Sequence, residues 1–198
     1  MDSKTQKRIS KFLSLILRHR PELIQLKLEP GGWVAVSLLL EKMAEHREGI
    51  SLENLQLVVR KNSKQRFSFN LDGTKIRANQ GHSVNIDLQL SAQSPPEFLY
   101  HGTAQSSLGS ILKNGLDKRQ RHHVHLSADT TTARQVGQRH GKAIVLKVLA
   151  QEMYQHGFDF YKSDNGVWLS DRIPPTYLVP LIEAMNGRIS HVNRTSED

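Results

Sequence analysis

Arg66–Asn79, RFSFNLDGTKIRAN, is the stretch on which the architecture turns. Phe67, Phe69 and Leu71 alternate with Arg66, Ser68 and Asn70, the period of two that marks a strand with one apolar face. Asp72-Gly73 suits a two-residue hairpin turn, and Ile76 and Ala78 carry the apolar face onto the return strand. Pairing Leu71 with Thr74 sets the register and collects Arg66, Ser68, Asn70, Lys75, Arg77 and Asn79 on the opposite face. The expectation is a hairpin with one basic, polar side.

Upstream, the period is that of a helix. Ile9, Phe12, Leu13 and Ile16 recur at helical spacing until Arg20-Pro21 stops the pattern. The first helix should therefore end with Arg18, His19 and Arg20 on its last turn, where cations complement the negative end of the helix dipole. A second helix fits 37–44. A third fits 51–60, with Ser51 as cap and Leu52, Leu55 and Val59 facing inward. Gly31-Gly32 before Trp33 reads as a turn. Three short helices and a hairpin predict a winged-helix-like first lobe.

Downstream, Leu90–Glu97 (LSAQSPPE) breaks the patterning, and its Pro pair pushes the preceding residues away from helix. Lobes over 1–94 and 95–186 follow, with a disordered polar tail over 187–198. In the second lobe, strands are expected at 98–100, 122–127, 143–149, 158–161, 166–170 and 177–182. Helices fit around Leu108–Leu112, stopped by Gly115, and 129–139, capped by Asp129 or Thr130. The class is α+β, built on a small, mostly antiparallel sheet.

Composition narrows the function classes. A chain of 198 residues with 37% hydrophobic content holds two small lobes with a core each. No apolar run approaches the roughly 20 residues of a membrane span, and no signal-like stretch follows the polar start, so the expected location is cytoplasmic. Without cysteine there is no disulfide, thiol nucleophile or Cys-ligated zinc. The net charge of +8 favours a polyanionic partner. Seven of the ten histidines fall after residue 96, so the donor-rich half is the second.

In RHHVHLS a period of two places Arg121, His123, His125 and Ser127 on one face of a strand, and His122, Val124 and Leu126 on the other. A cation, two imidazoles and a hydroxyl side by side suit phosphate or ribose. A solvated edge strand is the plainer alternative. No carboxylate sits at ligand spacing from His123 and His125, so no metal is expected. His101-Gly102-Thr103 offers hydrogen bonds, with a glycine that would let a ligand approach the backbone. His101-x-Thr103 and His125-x-Ser127 also echo the paired motifs of two-histidine RNA phosphoesterases, in which the two imidazoles would be general acid and base. On spacing alone, the chain binds phosphates in two lobes.

Taken in order, the motifs Lys11-Phe12-Leu13-Ser14, Leu17-Arg18-His19-Arg20-Pro21, Gly32-Trp33, Lys64–Ser68, Ile76–Ser83, Leu99–Thr103, Arg121–Ser127 and Asn165–Leu169 closely resemble the RNA 2′-phosphotransferase family of the KptA type. The resemblance implies a winged-helix-like RNA lobe and an ADP-ribosyltransferase-like lobe that uses NAD+ and no metal. It implies attack of an internal RNA 2′-phosphate on the nicotinamide ribose of NAD+. An RNA-2′-phospho-ADP-ribose intermediate then yields 2′-hydroxyl RNA, nicotinamide and ADP-ribose 1″,2″-cyclic phosphate. The catalytic set of the family falls on Arg18, His19, Arg66 and Arg121, with Arg119 near enough to Arg121 to compete for its role. The cofactor positions fall on His101, Gly102, Thr103, His125 and Ser127, with His123 adjacent. Lys75 and Arg77 are expected to bind the RNA, a tRNA-like molecule, and the protein to act as a monomer. Two other readings stay open: an ADP-ribosyltransferase acting on terminal nucleic-acid phosphates or on protein, and a non-catalytic winged-helix RNA-binding protein.

Overall fold

The computed structural model describes residues 1–183 and 189–190. The chain divides into two units. The first is Met1–Leu90 with two short loops that follow later in sequence, Gln120–His122 and Ser163–Gly166; the second is the remainder. The first unit thus ends at Leu90, the opening residue of the LSAQSPPE seam.

In the first unit, helix α1 (Ser3–Arg18) is capped by Asp2, whose carboxylate accepts from the backbone N–H groups of Lys4 and Thr5, both at 2.9 Å. Its apolar stripe Ile9, Leu13, Ile16 and Leu17 is fully buried. His19 is the C-cap, and Arg20-Pro21 opens a 3₁₀ turn instead of another helical turn. Helix α2 (Val36–Glu45) and helix α3 (Leu52–Arg60) complete the helical layer, with the Ser51 hydroxyl accepting from Asn54 N–H at 3.3 Å. The buried face of α3 is Leu55 and Val58, while Leu52 is 44% exposed and Val59 half-buried. The expected inward trio is thereby corrected: Leu52 opens the helix beside its cap, and the interior phase follows Leu55 and Val58.

Strands β1 (Val34–Ala35), β2 (Phe67–Phe69) and β3 (Lys75–Ala78) form a three-stranded antiparallel sheet in the order β1-β3-β2. Phe67 faces Ala78 and Phe69 faces Ile76, the register that the hairpin reading predicts. The turn differs. Only Gly73 has a positive φ, its N–H bonds to Asn70 O, and the Asp72 carboxylate accepts from Thr74 N–H at 2.9 Å. An Asx turn therefore replaces the two-residue loop, and Leu71 leaves the apolar face for solvent. The polar side is also covered in part: Asn79 is buried and Arg77 half-buried.

The second unit contains three small groups of strands. The largest sheet runs β12-β11-β7-β4, with β4 (Leu99–Ala104), β7 (Ala143–Val148), β11 (Leu178–Glu183) and β12 (Ile189–Ser190). β6 (Val124–Leu126), β9 (Trp168–Ser170) and β8 (Tyr161–Lys162) form a second sheet, and β5 (Leu116–Asp117) pairs with β10 (Arg172–Ile173). Every pairing among the described strands is antiparallel, so the class is α+β. Helices α4 (Leu108–Asn114), α5 (Thr130–Gly137) and α6 (Ala150–Gln155) cover them. Helix α6 occupies a stretch to which the sequence patterning assigns no element. The unit has its own core, in which Leu99, Leu146, Val148, Met153 and Phe160 are fully buried. Apart from β12, the polar tail expected over 187–198 lies outside the described residues. Among the described residues no helix is long and apolar enough to cross a membrane.

Two expectations about strands need correction. His101-Gly102-Thr103 lies within β4 and not in a loop after it. The strand through RHHVHLS is only Val124–Leu126, so Arg121 and His122 sit in a bend and belong to the first unit, apart from the His125 alternation. A side chain at Gly102 would clash with the Ala133 carbonyl oxygen of α5, its Cβ only 1.6 Å away. Helix-on-strand packing by itself therefore requires glycine at this position.

Candidate active site

The end of α1 delivers Arg18 and His19 to the site in the first unit. Arg18 is only 9% exposed. Its Nη2 donates to Arg66 O at 3.2 Å, and its guanidinium carbon lies 5.9 Å from the Phe67 ring centroid. Its Nε is buried without a hydrogen-bond partner. Burial, with Arg66 and Arg121 nearby, pushes its pKa down to about 10. Arg18 remains cationic at neutral pH, and the charges acting on it are both positive.

Arg66 is placed by two asparagines. Asn62 is buried; its carboxamide oxygen accepts from Arg66 Nη1 at 3.4 Å and from Lys64 N–H at 3.2 Å, and its nitrogen donates to Ser10 Oγ at 3.0 Å. Asn79 donates through its side chain to Gln65 O at 2.7 Å and through its backbone to Arg66 O at 2.9 Å. These bonds hold Gln65 at a positive φ of 41°, which turns the chain into β2. Asn62 carries no periodic signal, and the period of two puts Asn79 on the polar face of the hairpin without showing that it fixes the loop before Arg66.

His19 Nδ1 lies 3.0 Å from Ser83 Oγ, and the backbone N–H groups of Ser83 and Val84 both bond to Arg18 O. The segment after β3 therefore clamps the C-terminus of α1. Partial burial, then Arg18 and Arg121, hold the His19 pKa below the usual 6.5. Arg121 is the arginine that acts on both Arg18 and His19, whereas Arg119 groups with the second unit. Beside them His82 is fully buried with neither ring nitrogen hydrogen-bonded, its ring centroid 6.3 Å from that of His122. Burial, followed by Arg18, His122, His19 and Arg77, pushes its pKa down to about 3, so it is neutral. His82 and Ser83 belong to the quoted Ile76–Ser83 motif, but spacing assigned them no task.

Of the two hairpin cations, Lys75 Nζ lies 2.5 Å from Glu29 Oε2. Arg77 stacks 4.5 Å over the Trp33 ring, donates to Gly31 O at 3.4 Å and pairs with Asp164.

In the second unit, His101 and Thr103 lie on the face of β4 opposite the Gly102–α5 contact. Tyr100 and Ser127 exchange backbone hydrogen bonds at 2.9 and 2.8 Å, which brings Ser127 beside the start of β4. His101 Nδ1 lies 3.1 Å from His125 O. A carbonyl can only accept, so Nδ1 is the donor in this bond. His123 lies 3.9 Å from Asp171 and tilts against Tyr161 at 5.4 Å. Among the described residues no group of three or more His, Asp or Glu could hold a metal ion.

Fold and site together define an α+β protein whose first unit holds an arginine cluster around buried Arg18 and whose second unit carries a His/Thr/Ser donor set. Residues 4–172 match the family model described as RNA 2′-phosphotransferase, Tpt1 / KptA family. A Trichormus variabilis protein is 59% identical over 178 residues, covering 90% of this chain and 98% of its own length. Relatives from Herpetosiphon aurantiacus and Nostoc punctiforme are 56% identical over 178 residues and 55% over 177. These cover 90% and 89% of this chain, and 98% and 97% of their own lengths. All three are named probable RNA 2′-phosphotransferase. The chain belongs to the RNA 2′-phosphotransferase family and is a transferase, which displaces the purely binding alternative.

Proposed function

We propose that this protein removes an internal 2′-phosphate from RNA by transferring it to the ADP-ribose of NAD+. Arg18, Arg66 and Arg121 hold the phosphate, and His101, Thr103, His123, His125 and Ser127 serve the dinucleotide. Arg18 carries this reading: a buried guanidinium beside two further arginines, with an unpartnered Nε, is stabilised by an incoming dianion. Three helices followed by a small sheet support a winged-helix-like first unit. The antiparallel strands bearing His101 and His125 support an ADP-ribosyltransferase-like second unit, and family membership supports the pairing of RNA with NAD+.

The donor set fits the dinucleotide. The Thr103 and Ser127 hydroxyls both donate and accept, matching ribose hydroxyls and a carboxamide. NAD+ supplies an anomeric carbon from which nicotinamide departs, and a 2″-hydroxyl beside it. A phosphate is already an anion at neutral pH, so the first transfer needs orientation and not a base, and fixed guanidiniums provide it. In the second transfer charge gathers on the non-bridging phosphate oxygens, where the same arginines stabilise it. His19, kept neutral by its surroundings, takes the proton of the ribose hydroxyl and returns it to the departing RNA oxygen. The products are 2′-hydroxyl RNA, nicotinamide and ADP-ribose 1″,2″-cyclic phosphate. A location in the cytoplasm and action as a monomer complete the proposal.

The test is to incubate an oligoribonucleotide bearing one internal 2′-phosphate with the protein in EDTA, with and without NAD+. Cyclic ADP-ribose phosphate appearing only with NAD+ is the expected result. A stalled RNA–ADP-ribose conjugate would point to plain ADP-ribosyl transfer, and turnover without NAD+ would overturn the proposal.

A further inference from the structure

Helix α1 carries a second row of side chains that the chemistry above leaves unused. Lys7, Ser10, Lys11 and Ser14 recur at three- and four-residue intervals on the face that ends at Arg18, and they line a groove of about 560 Å³. Lys61 and Asn62, just beyond α3, line it too, as does Arg66. From Ser3, also in the lining, to Arg18 the wall runs about 22 Å at 1.5 Å per residue. Its lining contains five cations, one apolar residue (Val58), no carboxylate and no aromatic ring. Among the described residues Lys7, Lys11 and Lys61 make no ion pair. Asn62 bonds both Ser10 and Arg66, tying the groove wall to the phosphate cluster.

We infer that this groove is the track for the RNA strand that flanks the 2′-phosphate on one side, gripped through its phosphates and 2′-hydroxyls. The inference rests on Arg18 and Arg66 being ligands of the transferred phosphate, since the groove ends on them. Cations without carboxylates bind a polyanion, and serine hydroxyls suit the sugar edge. With no ring to stack a base, the track is indifferent to sequence.

The experiment uses oligoribonucleotides with a single 2′-phosphate, extended by four nucleotides on the 5′ side, the 3′ side or neither. Wild-type KM should fall on extension of one side only, equally for uridine and mixed-sequence extensions. The Lys7→Ala/Lys11→Ala/Lys61→Ala protein should lose that gain, and its plot of log KM against log salt should be shallower by about 2, near 0.7 for each charge removed. The corresponding triple Lys→Arg protein should keep both the gain and the slope. A triple Ala variant with an unchanged slope and length gain would overturn the track, as would a gain that depends on the added bases. Wild-type transfer without any length effect would overturn the track alone. No transfer at any length would overturn the parent reading with it.

Discussion

Two basic regions of the first unit differ in what surrounds their cations. On the hairpin, the Arg77 guanidinium lies over Trp33, donates to Gly31 O and pairs with Asp164, and Lys75 pairs with Glu29. At the end of α1, Arg18 is buried beside Arg66 and Arg121 with an unpartnered nitrogen, and the lysines lining the groove on α1 make no ion pair among the described residues. Both regions are cationic in composition. The hairpin cations are paired with carboxylates within the fold, while Arg18 has only cations acting on it, which is the contrast the proposed phosphate site rests on. Net charge suggests a polyanionic partner, and the pattern of compensation is what separates the two cationic regions.

The largest expected contrast is in turnover. Arg121→Ala removes an exposed side chain, so it should fold normally and yet turn over at least about 100-fold more slowly, the usual loss for one preorganised stabiliser. Single-turnover assays with an unfolding control would show it, and near-normal turnover would take Arg121 out of the site. Arg77→Ala should do the reverse. Losing the stack on Trp33 and leaving Asp164 unpaired costs about 2 kcal/mol in denaturant unfolding, with a much smaller change in rate.

Acid provides the next test. His82 is neutral in the fold with a pKa of about 3, against 6.5 when unfolded, so the unfolded chain binds the extra proton. The stability tied to His82 is complete above pH 6.5 and is lost as pH falls from there toward 3, by about 1.4 kcal/mol per pH unit. His82→Leu should flatten that part of the pH–stability curve. His19 should give kcat an acid limb below pH 6.5, since its surroundings favour the neutral ring, and Arg121→Gln should move the limb upward by removing a repelling charge. The smallest effect is expected from Lys75→Ala. Its exposed pair with Glu29 is worth well under 1 kcal/mol, and RNA binding should lose less salt dependence than with Lys11→Ala.

Much of the local structure was legible because it follows periodicity. The buried stripe of α1, its stop at Arg20-Pro21, the Ser51 and Asp129 caps and the Phe67–Ala78 register all follow from neighbours in sequence. The misreadings arose where a distant group intervened. Leu71 lost its inward place to an Asx turn at Asp72. The alternation in RHHVHLS broke because Arg121 and His122 joined the first unit, leaving three residues in the strand. Gly102 is required by the Ala133 carbonyl of α5, a contact that spacing does not show. The positioning roles of Asn62, Asn79 and Ser83 toward Arg66 and His19 were not legible, because periodicity places a side chain on a face but does not name its hydrogen-bond partner.

By itself the amino-acid sequence determined the three helices and the hairpin of the first unit, the separation into a basic early part and a histidine-rich later part, and the family to which the chain belongs. Those rest on local backbone preference and on ordered motifs, both of which are written along the chain. Tertiary structure alone decided which cations are neutralised: Arg77 meets Asp164, 87 residues away, while Arg18 meets Arg66 and Arg121. Counter-charges act through space over a few ångströms, and sequence distance carries no record of them.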